Sequence, residues 1–141
     1  MIREATRADL QQLGEIEAEA FPQSPWQLHD FLRHSCVVAE EEGRVQGFLV
    51  SREIAAQHSR HPAEREILNL AVRAACRRRG IAASLLQFEM QKPGIFFLEV
   101  RASNIAAKAL YRKLGFHELG YRFDYYENPR ETAIVMTTRP L

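Results

Sequence analysis

One segment of this chain, residues 66–100, constrains the possible folds more than any other. It begins with an apolar strand pattern over residues 66–72 and passes through a basic turn at 77–80. A helical pattern then runs to about residue 91, and a second apolar strand pattern covers residues 95–100. Two strands of one sheet that are joined through a helix lie parallel, and this crossover is almost always right-handed. The segment therefore predicts a parallel strand pair in an α/β domain.

The patterns on either side of this unit predict further strands and helices. Thr6 and Asp9 are spaced as in a capping box and precede a helical apolar pattern. A second helix is predicted from Ser24 as N-cap and Pro25 in the first turn, with an apolar face formed by Leu28, Phe31 and Leu32. The predicted order is β-α-α-β-β-β-α-β-α-β-β. We therefore expect an α/β (α+β) fold with a mixed sheet and helices on both faces.

Length and composition indicate an ordinary globular protein. The chain has 141 residues, 46% of them hydrophobic and 26% charged, and a net charge of +1. This length predicts a single domain over residues 1–141, and this charge gives no indication of binding to nucleic acid or to a membrane. The two cysteines do not make a disulfide framework, and no apolar run resembles a signal peptide or a bilayer span. We expect a cytoplasmic protein.

The basic turn is a candidate anion site. Arg77, Arg78, Arg79 and Gly80 follow an apolar strand and lead through Ile81 and Ala82 into a helix. Glycine permits a tight turn, and the first N–H groups of a helix are free to bind a phosphate. A solvated basic helix start explains the same pattern equally well. A binding module for RNA or another anion, without catalysis, is a further alternative.

Three polar residues in and after the second apolar strand are candidates for chemistry. Glu99 interrupts the apolar run 95–100, although carboxylates are rarely buried without a partner. It is a candidate general base; alternatively it is a solvent-facing residue, or it pairs with Arg101 or another arginine. Tyr111 is a candidate acid or a core residue on an apolar helix face. Asn104 is suited to be the N-cap of that helix.

Two stretches resemble a known family. The pattern R-x-x-G-x-A after an apolar strand resembles the acetyl-CoA loop of the GNAT N-acetyltransferases. The stretch FFLEVRASNIAAKALYRKLGF is similar to the bacterial ribosomal-protein alanine N-acetyltransferases of the RimI type, as are AFPQSPW and YRFDYYENPRETAIVM. The chain departs from the family pattern in having Ala74 at a position that is often proline. Its helix after the loop and its final hairpin are also shorter than is usual in the family.

The resemblance implies a fold, a co-substrate and a set of site residues. It implies the GNAT fold, a mostly antiparallel sheet of six to seven strands in which one parallel pair splays apart to admit acetyl-CoA. Leu70, Ala71 and Val72 would hold the pantetheine arm, and Asn104 would contact the cofactor. The pyrophosphate would be wrapped by Arg77, Arg78, Arg79, Gly80, Ile81 and Ala82. Glu99 would act as general base and Tyr111 as general acid, and no metal is implied.

The resemblance also implies an acceptor, the N-terminal alanine of a small-subunit ribosomal protein. The α-amine of a protein has a pKa about 2.5 units below that of lysine, so its deprotonation costs about 3.4 kcal/mol less. A lysine or a small-molecule amine remains an alternative acceptor, and a CoA-binding sensor without turnover is an alternative function. The other expected properties are a monomer or weak dimer, with no direct contact to nucleic acid or membrane.

Overall fold

A computed structural model describes residues 1–23 and 26–141, and its elements follow the predicted order except for the second predicted helix. Its seven strands and three α-helices within those residues are β1 (Ile2–Glu4), α1 (Leu10–Ala20), β2 (Ser35–Glu41), β3 (Arg44–Ala55), β4 (Glu64–Val72), α2 (Ile81–Glu89), β5 (Ile95–Arg101), α3 (Ile105–Lys113), β6 (His117–Tyr126) and β7 (Glu131–Thr137). Short 3₁₀ segments cover Arg7–Asp9, Leu28–Leu32 and Ala74–Cys76.

The strands hydrogen-bond in the order β1-β2-β3-β4-β5-β7-β6. The pairs β1–β2, β2–β3, β5–β7 and β6–β7 are antiparallel, whereas β4 and β5 are parallel. The parallel ladder extends from the pair Glu64 and Ile95 to the pair Ile67 and Leu98, while β4 itself continues to Val72. This topology confirms the predicted mixed, mostly antiparallel sheet with one parallel pair that stays together over only part of its length.

The chain forms two compact units. The first unit contains Met1–Arg52 and Leu68–Gln91, and the second contains Glu53–Ile67 and Lys92–Leu141. The polypeptide passes between the two units inside β3, inside β4 and after α2.

The core of the first unit joins one face of α1 to strands β2 and β3. Leu13 and Ile16 are one helical turn apart on α1 and are fully buried, as are Val38 and Phe48. The ring of Phe31 lies against the ring of Phe48, with 5.1 Å between their centroids. The side chains at helical spacing on α1 and those at alternate positions on the strands therefore form one core.

An ion-pair network holds the start of α1. The backbone N–H of Thr6 donates to the Asp9 carboxylate over 2.7 Å, as the capping-box spacing predicts. Both terminal nitrogens of Arg3 donate to the same carboxylate over 2.8 Å, and Arg3 also pairs with Glu40. These bonds from Arg3, followed by the Thr6 N–H, hold the pKa of Asp9 below its ordinary value of 3.8. Asp9 is therefore buried as a paired anion.

The prediction of a second helix from Ser24 is wrong in its described part. The N-cap at Ser24 and the first-turn Pro25 lie outside the described residues. From Leu28 to Leu32 the chain forms a 3₁₀ segment, and Phe31 is buried while Leu28 is 49% exposed. A 3₁₀ helix has three residues per turn, so this segment makes less than two turns and forms no i, i+3, i+4 face.

Candidate active site

The end of β4 forms one part of the candidate site, in the first unit. Ala71 and Val72 are buried, and Leu70 is half-buried. Strand β3 approaches this segment closely at Gly47, where an added Cβ would lie 2.9 Å from the Ala71 carbonyl oxygen. The absence of a side chain at Gly47 therefore sets how near β3 can lie to the predicted pantetheine segment.

The turn before α2 combines an unusual backbone with a helix start. Arg78 and Gly80 have φ angles of +65° and +77°, in the left-handed region. An added Cβ at Gly80 would meet no atom within 4 Å, so glycine is favoured there by the backbone angle and not by lack of space. The first N–H groups of α2, which begins at Ile81, need partners from outside the helix. This geometry is suited to an anion, and anion binding at the turn stays a prediction.

The basic residues of the turn differ in what they contact. Arg77 donates from Nε to the carbonyl oxygen of Val72 over 3.2 Å, which braces the turn against the end of β4. Arg78 and Arg79 are exposed. The N–H of Ala74 donates to the Glu19 carboxylate over 2.7 Å, a bond that proline at this position could not make. The alanine that departs from the family pattern therefore ties the turn to α1.

Glu99 lies on the outer face of β5, in the second unit. Phe96, Leu98 and Val100 are buried, while Ile95, Phe97, Glu99 and Arg101 alternate with them and are half-buried. Because side chains alternate between the two faces of a strand, the carboxylate does not enter the core that the apolar run fills. This alternation explains how a strand that looks fully buried in sequence can carry a carboxylate.

The partners of Glu99 come from β6. Arg122 forms an ion pair with Glu99, with 2.8 Å between Nε and Oε2. Its N–H does not point at Oε2, so that oxygen, which solvent does not reach, accepts no hydrogen bond within residues 1–23 and 26–141. The Tyr125 hydroxyl donates to the other carboxylate oxygen over a long 3.4 Å. Of the alternatives for Glu99, pairing with an arginine is therefore observed, and the partner is Arg122.

Two irregularities in β6 explain why sequence analysis missed the partners of Glu99. Before Arg122, Glu118 pairs with Met136 but Gly120 pairs with Val135, so β6 has one extra residue between these pairs. Arg122 pairs with Ala133 and Tyr126 pairs with Glu131, so β6 has more residues than β7 between these two pairs. Asp124, within the bulge, has a φ angle of +52°. A bulge interrupts the two-residue alternation, so the direction of Tyr125 does not follow from spacing along the strand. Apart from the cluster of aromatic residues around it, the sequence gives no signal for this arrangement.

Tyr111 lies on α3, half-buried, with its ring 5.8 Å from that of Phe116. Burial raises the pKa of its hydroxyl to about 12. Within the described part of the chain, this hydroxyl makes no hydrogen bond. A phenol in this state keeps its proton at neutral pH and can donate it.

Tyr126, in the bulged part of β6, is also half-buried, and its pKa is raised to about 12, first by burial and then by the charge of Glu99. Both Tyr111 and Tyr126 are therefore neutral phenols under ordinary conditions.

Arg101 holds the turn between β6 and β7. Its guanidinium donates to the carbonyl oxygens of Pro129 and Glu127, both over 2.9 Å, and to Glu131 over 3.2 Å. It also lies 4.5 Å from the ring centre of Tyr126. The hydrogen bonds of Arg101 therefore go to the β6–β7 hairpin, and Arg101 does not pair with Glu99.

Asn104 is the N-cap of α3. Its side-chain oxygen accepts a hydrogen bond from the N–H of Ala107 over 3.1 Å, and the residue is exposed. The capping role is therefore observed, and a contact with a cofactor stays a prediction.

The described residues contain neither a candidate metal centre nor a membrane-spanning helix. No group of three or more His, Cys, Asp or Glu side chains in residues 1–23 and 26–141 is arranged to hold a metal ion. Within the same ranges, every helix is too short or too polar to cross a lipid bilayer.

The mixed sheet, in which β4 and β5 are parallel over only part of their length, has the topology of an acetyltransferase. The chain matches the acetyltransferase (GNAT) family over residues 2–116 and therefore belongs to this family of N-acetyltransferases. The N-alpha-acetyltransferase RimI of Mycobacterium tuberculosis is 37% identical over 140 residues, which cover 93% of this chain and 87% of that protein. These similarities confirm the predicted family and its RimI-type resemblance.

Two further comparisons involve Escherichia coli. Its ribosomal protein bS18-alanine N-acetyltransferase is 44% identical over 80 residues, which cover 52% of this chain and 54% of that protein. The crystal structure of the ribosomal-protein-S18-alanine N-acetyltransferase superposes with a TM-score of 0.79 at 31% identity, covering 97% of this chain and 91% of that chain.

Proposed function

We propose that this enzyme transfers an acetyl group from acetyl-CoA to the N-terminal amine of a protein, and that its main acceptor is the N-terminal alanine of a small-subunit ribosomal protein. The relatives named above, with acetyltransferase activities on N-terminal amines and on ribosomal-protein alanine, support this choice. Ribosomal proteins are synthesised in the cytoplasm, so the proposed site of action is cytoplasmic.

The cofactor residues follow from the turn and from the end of β4. Residues 77–82 bind the pyrophosphate, mainly through the free N–H groups at the start of α2. The backbone of Leu70, Ala71 and Val72 binds the pantetheine arm, beyond the point where the parallel ladder stops. Asn104 contacts the cofactor from the start of α3. Acetyl-CoA supplies the thioester, and no metal takes part.

The placement of Glu99 carries the mechanistic part of the proposal. A carboxylate on the outer face of β5, held by Arg122 and Tyr125, is available to a polar reactant, whereas one in the core would not be. Glu99 removes a proton from the acceptor amine, directly or through water, and the amine attacks the thioester carbonyl. The Tyr111 hydroxyl gives its proton to the departing thiolate. Proton transfer by a positioned side chain typically contributes about 10²–10⁴-fold in rate.

An acetylation screen against defined acceptors tests the proposal. Purified enzyme and acetyl-CoA are incubated with an alanine-terminated peptide, an N-terminally blocked lysine peptide and a polyamine, and products are located by mass spectrometry. We expect acetylation mainly on the alanine α-amine. A preference for the polyamine or the lysine peptide would contradict the proposed acceptor.

The variant Glu99→Gln tests the mechanism in the same assay. We expect kcat to fall by about 10²–10⁴-fold, with the affinity for acetyl-CoA unchanged. Glu118→Gln is a matched control. Glu118 also forms a 2.8 Å ion pair with an arginine, Arg112, and this pair is exposed. Equal rates in the two variants would show that the base is misassigned.

A further inference from the structure

The ion pair on Glu99 places a fixed positive charge on the proposed base. The Arg122 Nε lies 2.8 Å from Glu99 Oε2, and the side chains of Arg122 and Glu99 are 60% and 18% exposed. The Arg122 guanidinium also lies 5.8 Å from the ring centre of Tyr125, the residue that donates to the other Glu99 oxygen. The cation therefore lies at the solvent side of the carboxylate that an acceptor amine must reach.

The other charged groups nearby do not replace this cation. Arg101, on the same face of β5, is bonded to the β6–β7 turn and to Glu131. On β4, Glu66 adds negative charge near Tyr125, since it contributes to the raised pKa of that hydroxyl. Tyr111 and Tyr126 are neutral phenols. Within residues 1–23 and 26–141, Arg122 is therefore the cation that pairs with Glu99.

We infer that Arg122 is a specificity-determining residue, which makes the acceptor site select neutral amines over ammonium ions. This inference rests on the proposed function of Glu99. A bare carboxylate would attract an ammonium ion and take its proton, so that lysine would also react from its charged form. When Arg122 already neutralises the carboxylate, an arriving ammonium meets a like charge and gains little from binding. A neutral amine suffers no such repulsion.

The selection has a large effect because amines differ in their neutral fraction. At pH 7.4 about a quarter of α-amines, but only about 0.1% of lysine side chains, are unprotonated. A site that binds neutral amines therefore prefers protein N-termini by a factor on the order of 10² before any contact with the rest of the acceptor. Arg122 thus contributes to N-terminal specificity through charge.

Two peptides of otherwise identical sequence measure this selection. One has a free N-terminal alanine and no lysine, and the other has an acetylated N-terminus and one lysine near it. The values of kcat/KM for both are determined at pH 7.4 by CoA release, with mass spectrometry to locate the acetyl group. The quantity of interest is the ratio of the lysine value to the α-amine value.

Three variants separate charge from structure. Arg122→Gln removes the charge and should raise the ratio about fivefold, near the upper end for exposed charge pairs. Arg122→Lys retains the charge, so its ratio should stay within about twofold of the wild-type ratio. A twofold change corresponds to less free energy than an exposed charge pair contributes at most. Arg112→Gln is the matched control, since Arg112 forms an exposed 2.8 Å pair with Glu118, and it should leave the ratio unchanged.

The outcomes distinguish this inference from the proposed function. If the wild-type enzyme prefers the lysine peptide, both are overturned. If the wild-type enzyme prefers the α-amine but Arg122→Gln leaves the ratio unchanged, only the role of Arg122 is overturned. The same holds if Arg122→Lys changes the ratio as much as Arg122→Gln does, because shape and not charge would then be responsible.

Discussion

Replacing Gly47 by alanine tests how closely β3 must approach the end of β4. In the native structure an added Cβ at Gly47 would lie 2.9 Å from the Ala71 carbonyl oxygen and 3.1 Å from a methyl carbon of Val72. Optimal contacts between non-bonded carbon atoms are about 3.5–4.0 Å. The nearer obstacle is backbone, which cannot rotate away, so β4 must shift where we propose that it binds pantetheine.

The size of the effect follows from two opposing terms. Overpacking of a filled site costs about 1–3 kcal/mol. The lower conformational entropy of alanine in the unfolded chain returns about 0.4–1 kcal/mol. We therefore expect a net loss of about 1–2 kcal/mol in the free energy of unfolding, or roughly 3–7 °C in melting temperature. The affinity for acetyl-CoA should fall about fivefold, equivalent to about one backbone hydrogen bond.

Thermal unfolding and calorimetric titration with acetyl-CoA measure the two effects. Gly120→Ala is the control, because an added Cβ at Gly120 meets no atom within 4 Å. We expect this variant to be more stable than wild type by about 0.4–1 kcal/mol, with unchanged cofactor affinity. If Gly47→Ala matched Gly120→Ala in both measurements, the close approach at β4 would not be a constraint on stability or on cofactor binding.

Two further predictions concern protonation. Tyr111→Phe should lower kcat by about 10²-fold or more without changing the affinity for acetyl-CoA. Because the pKa of Tyr111 is about 12, this acid stays protonated and the wild-type rate should not decline through its loss up to about pH 10. A decline centred below pH 9 that the variant abolishes would contradict this. Arg3 lowers the pKa of Asp9 in the folded protein below its ordinary value of 3.8, so the unfolded chain binds the Asp9 proton more tightly. The stabilisation by this ion pair is therefore complete well above pH 3.8 and is lost as the pH falls through the lower folded pKa. Urea unfolding between pH 2 and 6 should show a weaker pH dependence in Asp9→Asn than in wild type, and an unchanged dependence would show that the pair contributes nothing.

Local patterns were sufficient for most of the secondary structure. Helical spacing of Leu13 and Ile16, and the apolar runs of β4 and β5, depend on neighbours in sequence, and the corresponding elements form where they were predicted. The helix predicted after Ser24 was wrong over Leu28–Leu32 because Phe31 alone reaches the core there. A short apolar segment satisfies several helical geometries, and packing selects among them.

The sequence by itself determined the family, the order of the strands and of the three α-helices, and the positions of Glu99 and Tyr111. Only the tertiary structure decided what these residues contact. The pairing of Glu99 with Arg122 depends on a bulge in β6, and the commitment of Arg101 to the β6–β7 turn depends on where that hairpin folds. The physical reason is range: backbone geometry repeats every two or 3.6 residues and can be recognised locally. A contact between charges far apart in the chain depends on strand register, which local patterns do not specify.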